Sequence, residues 1–315
     1  MRRPTSTDRS TSAQPSKGPD RWAQWLLQRR DGGDAHQREA ALTHLAPVRE
    51  RVLAGAEPLE GATLLDLGTG NGLIGLEALD RVGVDGTVIF ADVSPALLDE
   101  CRQAVRARGA LDRARFVLAR AEDLADVPNA SVDIVTTRSV LIYVAEKARA
   151  FEEMHRALRP GGRISLFEPI NRLTFPEPRD RFWGYDVTAV SDLSDKVKAS
   201  FQELQDPAAA TMTDFDDRDL LHLAEAAGFE EVHLTCHIDV VPASEDEAGS
   251  VLRPHNLGAF LDVAPNPLAP TIGEAIGRAL TDVERERFLA HLGRAFEEHR
   301  AIRRSAVAYL TAHKR

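Results

Sequence analysis

Three glycines alternate directly behind a short apolar run that carries an acid, and this spacing can hold a nucleotide. The run is residues 64–72, LLDLGTGNG, with Asp66 two positions before the first glycine. Glycine is needed where the backbone turns tightly and lies against a ligand. A helix that opens at 71–73 would add unpaired N–H groups, which attract a carboxylate or phosphate. The run therefore predicts a strand, a nucleotide-binding turn and a helix.

The glycines fit two kinds of nucleotide-binding turn. Counted from Gly70, the residues Gly70, Gly72 and Gly75 satisfy GxGxxG, and Asp92 follows at about the distance of a ribose-binding acid in a dinucleotide fold. Counted from Gly68, the run gives GxGxG instead. The glycines alone therefore leave a dehydrogenase open, for which NADH would bind and an antiparallel last strand should be absent.

The acid inside the strand end favours a different class. Asp66 before the glycines resembles the first motif of the class I S-adenosylmethionine-dependent methyltransferases, and further motifs follow in that family's order. They are residues 87–92 (TVIFAD), 116–124, 132–144 and a helix over 148–158 that ends at Pro160-Gly161-Gly162 before a strand at 163–167. The match covers roughly residues 60–170 and is similar in particular to the quinone C-methyltransferase-like, type 11 methyltransferase-domain branch.

The resemblance implies a fold and a cofactor. The fold is α/β, a doubly wound seven-stranded, mostly parallel sheet with an antiparallel last strand at 305–312 and helical cap insertions. The cofactor is S-adenosylmethionine, with S-adenosylhomocysteine as product. The implied cofactor-binding residues are Asp66, Gly68, Thr69, Gly70, Asn71, Gly72, Asp92, Val93, Ala121, Glu122, Arg138 and Ser139. Many relatives carry an acid where this chain has Arg120, so Glu122, Asp123 or backbone groups are the alternatives at the adenine.

Methyl transfer from a sulfonium needs no covalent nucleophile, so the protein has to orient the acceptor and remove a proton where there is one. Candidate bases or orienting groups are Tyr143, Glu168, Tyr185, His237 and His255, and the candidate substrate contacts are Tyr143, Glu168, Arg172, Trp183 and Tyr185. Glu168 ends a parallel strand, where pockets concentrate, but it can also stabilise a neighbouring helix or Arg172. Arg138 either binds a carboxylate or pairs with Asp133 or another acid.

The domain organisation follows from composition and periodicity. The predicted segments are a disordered tail (1–20), an N-terminal helical lid (21–58), the cofactor-binding half (59–169), a cap insertion with no clean strand (170–213), a helix and strand of the core (214–242), a second cap insertion (243–304) and the last strand (305–315). For the tryptophans of the lid, simple core packing is the alternative. Three prolines in 264–270 stiffen a loop that is either a substrate wall or a plain connector.

Charge and composition exclude several classes. The chain has 315 residues, 43% of them hydrophobic, and a formal net charge of -10, which disfavours nucleic acid as the main substrate. No apolar run is long enough to span a bilayer, so a cytoplasmic location is expected. Cys101 and Cys236 predict reduced thiols, too few for the arsenite-methylating branch. His233 and His237 would share a strand face, but with no acids or cysteines nearby we expect no metal site.

The predicted function is methyl transfer to an oxygen or nitrogen of a small metabolite or natural product. Carbon methylation of a quinone-like ring is the second interpretation. The fold also permits aminocarboxypropyl transfer, or a cofactor-binding protein with a regulatory role. The partner is in each case a small molecule, and the oligomeric state stays open.

Overall fold

The computed structural model describes residues 20–30, 35–242, 257–298 and 301–315; of side chains within 35–44 it describes only that of Thr43. The predicted tail, apart from Asp20, and the candidate base His255 lie outside these residues. Within them, no helix is long and apolar enough to cross a membrane.

Seven of the described strands form one sheet, in the order β3-β2-β1-β4-β5-β9-β8. The strands are β1 (Thr63–Leu67), β2 (Thr87–Asp92), β3 (Ala114–Leu118), β4 (Val132–Arg138), β5 (Leu158–Pro169), β6 (Arg181–Phe182), β7 (Tyr185–Asp186), β8 (Glu230–Pro242) and β9 (Ile302–His313). Strands β1 to β5 pair in parallel, and β9 is antiparallel to both of its neighbours. The predicted antiparallel last strand is confirmed, and it is the feature that a dehydrogenase should lack.

Helices cover both faces of the sheet. They are α1 (Arg21–Gln24), α2 (Ala35–Gly55), α3 (Gly75–Arg81), α4 (Pro95–Ala107), α5 (Lys147–Ala157), α6 (Ser191–Leu204), α7 (Asp217–Ala226), α8 (Leu257–Asp262), α9 (Ile272–Ala279) and α10 (Asp282–Glu297). Successive strand residues face opposite sides: Leu64 packs with α2, α3 and α4, and Leu65 packs with α5 and α7. Burial on both faces explains the apolar runs of β1 and β2.

Two predicted helix boundaries were wrong. The helix behind the glycine turn begins at Gly75, not at 71–73. The left-handed backbone at Gly70 and Gly72 is incompatible with an α-helix, so the turn runs on to residue 74. Helix α5 ends at Ala157 rather than at Pro160, because a residue before proline disfavours the helical region and the chain is already extended at Leu158.

The two insertions after β5 pack together as one cap with its own hydrophobic core. The first supplies α6 and the β6–β7 hairpin, which corrects the expectation that this segment lacks strands; the second supplies α8, α9 and α10. Phe182 and Val197 of the first insertion share a buried cluster with Phe260, Ile276 and Phe288 of the second. The cap is therefore a product of both segments.

Candidate functional site

The side chain of Asp66 stabilises the glycine turn. Its carboxylate is buried at the end of β1 and accepts hydrogen bonds from Thr69 Oγ1 at 2.7 Å, Gly75 N at 2.9 Å and Thr136 Oγ1 at 3.0 Å. Burial raises the pKa of Asp66 to about 6, against the opposing effect of these donors. The bonds tie together the turn, the start of α3 and β4.

A side chain is disfavoured at two glycines of the turn, both by their backbone conformation and by the atoms that a Cβ would meet. Gly68 has φ +68°, and a Cβ there would lie 2.3 Å from Val140 Cγ2. Gly70 has φ +57°, and a Cβ would lie 3.2 Å from Leu26 Cδ2 of the N-terminal segment. L-residues avoid this left-handed region, so glycine is required by the backbone as well as by space.

The glycine turn meets the end of β2 through Asp92. Its carboxylate accepts from Gly70 N at 2.8 Å and from Ser94 N at 2.9 Å, and it is only 6% exposed. Burial raises the pKa of Asp92, and the nearby charge of Asp20 adds to this effect. Val93, by contrast, is exposed. Ionised carboxylates have lone pairs for further donors, so Asp92 can also accept from sugar hydroxyls.

The segment after β3 holds the residues predicted near the adenine. Ala121 is buried, and Glu122 accepts a hydrogen bond from Arg120 Nε at 2.8 Å. Arg120 therefore neutralises Glu122, and it also forms a β-bridge with Asp123. The adenine contact stays a prediction.

Glu168 supports the turn that follows β4. Its Oε1 accepts from Val140 N at 2.9 Å and Leu141 N at 3.0 Å, and its Oε2 accepts from Ile142 N at 3.3 Å. Ser139 enters this turn with φ +57°, a conformation that costs energy in a residue with a side chain. Since both carboxylate oxygens are engaged with backbone, the geometry favours a positioning role for Glu168 over that of a base.

Arg172 is not the partner of Glu168. It lies 3.8 Å from Asp216 and 3.7 Å from Asp219, and its side chain is largely exposed. Arg138 likewise does not pair with Asp133, which is bound by Arg159 at 2.7 Å. The structure therefore contains neither the Glu168–Arg172 pair nor the Arg138–Asp133 pair.

The other predicted residues lie in three environments. Tyr143 contacts the ring of Trp22 edge-on at 4.9 Å, and burial raises the pKa of its phenol. Tyr185 stacks on Phe296 at 4.3 Å within the core of the cap. His237 is exposed on the edge strand β8, within hydrogen-bond distance of Arg51. Of these candidates, Tyr143 is the one that follows the β4 end directly, next to the turn held by Glu168.

The cap carries the predicted Trp183 on the turn of its hairpin. Trp183 has φ +52°, and its ring lies 6.2 Å from that of Phe201 and 6.5 Å from that of Phe175. Glu177 accepts hydrogen bonds from Trp183 N at 2.7 Å and Gly184 N at 2.8 Å, which fixes the turn. A substrate contact of Trp183 stays a prediction.

Sequence reasoning missed the contribution of Asp20. Its Oδ1 caps α1 by accepting from Ala23 N, and its Oδ2 accepts from Ser94 Oγ at 2.5 Å. Ser94 in turn caps α4 at Leu97 N. Asp before a helical run and Ser before Pro95 are both sequence signals of helix starts, but neither pattern indicates that the two caps bind each other.

The N-terminal segment also contacts the cap. Trp25 Nε1 donates to Ala264 O at 2.7 Å, and Arg21 pairs with Asp206 at 2.7 Å. A groove of about 830 Å³ lies along this seam and is lined by Arg21, Asp206 and residues 267–270 of the proline-rich loop. The segment thus bridges the glycine turn, the β4–β5 end and the cap.

The sheet order and the contact between Asp92 and the glycine turn are those of a Rossmann-like nucleotide-binding fold. Residues 64–162 match the model of the methyltransferase domain family. The chain is 31% identical over 175 residues to the ubiquinone/menaquinone biosynthesis C-methyltransferase of Idiomarina loihiensis, over 55% of this chain and 68% of that protein. The chain belongs to the class I S-adenosylmethionine-dependent methyltransferases. It is an enzyme of that family, and S-adenosylmethionine is its cofactor.

Other relatives and solved structures agree on the domain or the fold. An arsenite methyltransferase of Halobacterium salinarum is 32% identical over 172 residues, over 51% of this chain and 44% of that protein. The MccD protein is similar in structure with a TM-score of 0.51 at 16% identity, over 87% of this chain and 98% of that one. A protein from Galdieria sulphuraria reaches a TM-score of 0.50 at 15% identity, over 94% and 99%. At these identities the structural likeness concerns the fold alone.

Burial of Glu168 has a consequence for pH dependence. Its pKa is raised from 4.5 to about 7 in the folded chain, chiefly by burial. A carboxyl whose folded pKa is raised contributes stability that is fully present below its unfolded pKa and is lost as pH rises through the folded value. We expect the wild type to lose up to about 3 kcal/mol relative to Glu168→Gln between pH 4.5 and pH 8.

Urea unfolding of both proteins across this pH range measures the effect. The raised pKa of Asp66 is common to both proteins, so its contribution cancels in the difference. A difference in the free energy of unfolding that stays constant with pH would contradict the expectation.

Proposed function

We propose that the chain transfers a methyl group from S-adenosylmethionine to an oxygen or nitrogen atom of a small metabolite or natural product. Methyl transfer to a small molecule follows from the family, and the acceptor atom is the proposed part. The bond between Asp92 and Gly70 N supports the cofactor in this proposal, because it brings a carboxylate to the glycine turn. The observation that carries the acceptor is the buried phenol of Tyr143 next to the turn held by Glu168.

The residues present fit the cofactor. The left-handed glycines leave the turn without a Cβ, and Asp92 lies next to it to accept the ribose hydroxyls. The proposed cofactor-binding residues are those of the four strand ends: Asp66, Gly68, Thr69, Gly70, Asn71, Gly72, Asp92, Val93, Ala121, Glu122, Arg138 and Ser139. Of these, the contacts assign Asp66 a supporting role beneath the turn. When bound, the cofactor supplies a methyl group on a sulfonium, an electrophile that needs no further activation.

The chain's own residues then orient the acceptor and exclude water. Tyr143, whose phenol stays protonated because burial raises its pKa, can donate a hydrogen bond to the acceptor. Glu168 holds the turn that presents Tyr143. A candidate base with free carboxylate oxygens is thus missing from this turn, which favours acceptors that carry a lone pair or an acidic proton of their own.

The cap favours an acceptor with apolar surface. Phe175 is 46% exposed and lies beside Trp183, so this aromatic pair is available for a ligand. We propose Trp183 as a substrate contact, whereas the packing of Tyr185 and the ion pairs of Arg172 support structural roles for both.

Carbon methylation of a quinone-like ring is the second candidate. It is supported by the C-methyltransferase named among the relatives. Arsenite methylation is disfavoured because Cys101 is fully buried and burial raises its pKa to about 12, which makes its thiolate hard to form. Cys236, the other free cysteine, lies far along the chain on β8.

We further propose that the N-terminal segment acts as a lid held by Asp20. Replacing Asp20 with alanine removes one helix cap and the bond to Ser94, so we expect the Kd for S-adenosylmethionine to rise roughly fivefold, since each bond contributes about 1 kcal/mol at most. Isothermal titration calorimetry measures this. Arg21→Gln is the control: it breaks the exposed pair with Asp206 and should change the Kd less than twofold, as exposed pairs stabilise little. Equal effects of both variants on the Kd would contradict the proposal that Asp20 holds the lid.

Calorimetry followed by an acceptor screen tests the proposed function. The wild type should bind S-adenosylmethionine and S-adenosylhomocysteine but not NADH. A panel of phenols, hydroxy acids, amines and quinols is then incubated with S-adenosylmethionine, and the products are separated by mass spectrometry. S-adenosylhomocysteine with an O- or N-methylated acceptor supports the proposal. A C-methylated quinol supports the second candidate, and methylthioadenosine as the sole nucleoside product overturns methyl transfer.

A further inference from the structure

Arg138 occupies a special place at the carboxyl edge of the sheet. It is the last residue of β4, pairs in register with Phe167 of β5, and directly precedes the left-handed Ser139. The carboxyl ends of parallel strands are where α/β folds bind their ligands. Arg138 is partly buried there, next to the turn held by Glu168.

The guanidinium of Arg138 has no side-chain hydrogen bond or ion pair with any residue that the structure describes. The acids that it could bind are engaged elsewhere: Asp133 with Arg159, Glu168 with backbone N–H groups, and Asp66 with Thr69, Thr136 and Gly75. A guanidinium has five N–H donors and no acceptor, so the side chain of Arg138 can still donate to an anion. Burial lowers the pKa of Arg138 to about 10.

A second guanidinium approaches from the N-terminal segment. Arg30 lies 5.8 Å above the ring of Trp25, whose Nε1 is fixed to Ala264 O. The positive charge of Arg30 acts to lower the pKa of both Arg138 and Tyr143. The end of β4 therefore carries the guanidinium of Arg138 and is exposed to a second positive charge, which favours an anion there.

We propose that the guanidinium of Arg138 forms a carboxylate-binding site at the carboxyl edge of the sheet. The planar fork of a guanidinium matches a carboxylate with two parallel hydrogen bonds. The inference rests on the proposed function, which supplies two sources of this group: the amino-acid end of the cofactor and the acceptor itself.

Paired ligands that differ in the carboxylate test the site. S-adenosylhomocysteine carries an amino-acid carboxylate, and 5′-methylthioadenosine lacks it, so their Kd ratio isolates this group at the cofactor. For the acceptor, acetate, benzoate and 4-hydroxybenzoate are titrated against their amides, with and without saturating S-adenosylhomocysteine. The proteins are the wild type, Arg138→Gln, Arg138→Lys and the control Arg159→Gln, whose pair with Asp133 joins the start of β4 to β5. Melting temperatures verify that each variant is folded.

The two sources of the carboxylate, the cofactor and the acceptor, predict different changes in Kd. If Arg138→Gln raises the Kd of S-adenosylhomocysteine roughly tenfold and leaves that of 5′-methylthioadenosine unchanged, the site holds the cofactor's carboxylate. If it leaves both unchanged but abolishes the preference for an acid over its amide, the site holds the acceptor's. We expect Arg138→Lys to keep part of the effect and Arg159→Gln to show none.

Unchanged ratios in Arg138→Gln for both nucleosides and all acids overturn the proposal. A wild type that binds neither nucleoside overturns the proposed function instead. In that case the titrations of acids and amides without S-adenosylhomocysteine still decide whether Arg138 binds a carboxylate.

Discussion

Replacing Asp92 with alanine is expected to weaken S-adenosylmethionine binding by roughly 100- to 1,000-fold. The carboxylate lies beside the glycine turn and is proposed to accept both ribose hydroxyls, and two charge-assisted hydrogen bonds of this kind contribute about 3–4 kcal/mol. The change also removes the acceptor of Gly70 N and Ser94 N, so the turn itself loosens. Calorimetric titration with S-adenosylmethionine and S-adenosylhomocysteine measures the loss.

Asp133→Ala is the matched control for Asp92→Ala. Asp133 lies in the same sheet and also accepts from a backbone group, Thr63 N at 2.8 Å, but at the start of β1 rather than at the carboxyl ends of the strands. We expect it to lower the melting temperature while leaving the cofactor Kd within about twofold of the wild type. If both variants weaken binding equally, general destabilisation explains the result and Asp92 is not a ribose ligand.

Replacing Glu168 with alanine is expected to have the second-largest effect. The change leaves the N–H groups of Val140, Leu141 and Ile142 without their buried acceptor, which costs about 3 kcal/mol or more of the free energy of unfolding at pH 6. The turn also carries the Ser139 conformation and positions Tyr143, and small displacements at such a site can cost roughly 100-fold in kcat/KM. Urea unfolding and initial rates with an acceptor found in the screen measure the two effects.

Glu177→Ala is the matched control for Glu168→Ala, because it removes a carboxylate that holds a different turn. Glu177 similarly accepts from Trp183 N and Gly184 N, but in the cap hairpin. We expect a comparable loss of stability, an altered KM for the acceptor and an unchanged Kd for S-adenosylmethionine. Glu168→Gln should recover part of the activity, because the amide oxygen still accepts from the backbone. Full activity in Glu168→Ala would contradict the positioning role.

Several features of the fold could be predicted because they are encoded locally. The glycine turn, Asp92 at the end of β2 and the strands of the central sheet follow from apolar runs and turn residues that are adjacent in sequence. The start of α3 was wrong by a few residues, since no spacing rule shows how far three left-handed glycines extend a turn. Boundaries of this kind depend on backbone conformation that residue types only restrict.

The sheet, the cofactor turn and the family could be predicted from the sequence, because each motif is a contiguous segment and the motifs follow in that family's order. The tertiary structure alone decided how these motifs are used. Asp20 meets Ser94 across 74 positions, Glu168 turns to the backbone rather than to Arg172, and Arg138 is left without an acid. The two insertions share one core for the same reason. Partners distant in sequence are selected by the packing of whole elements, which periodicity and motif spacing do not encode.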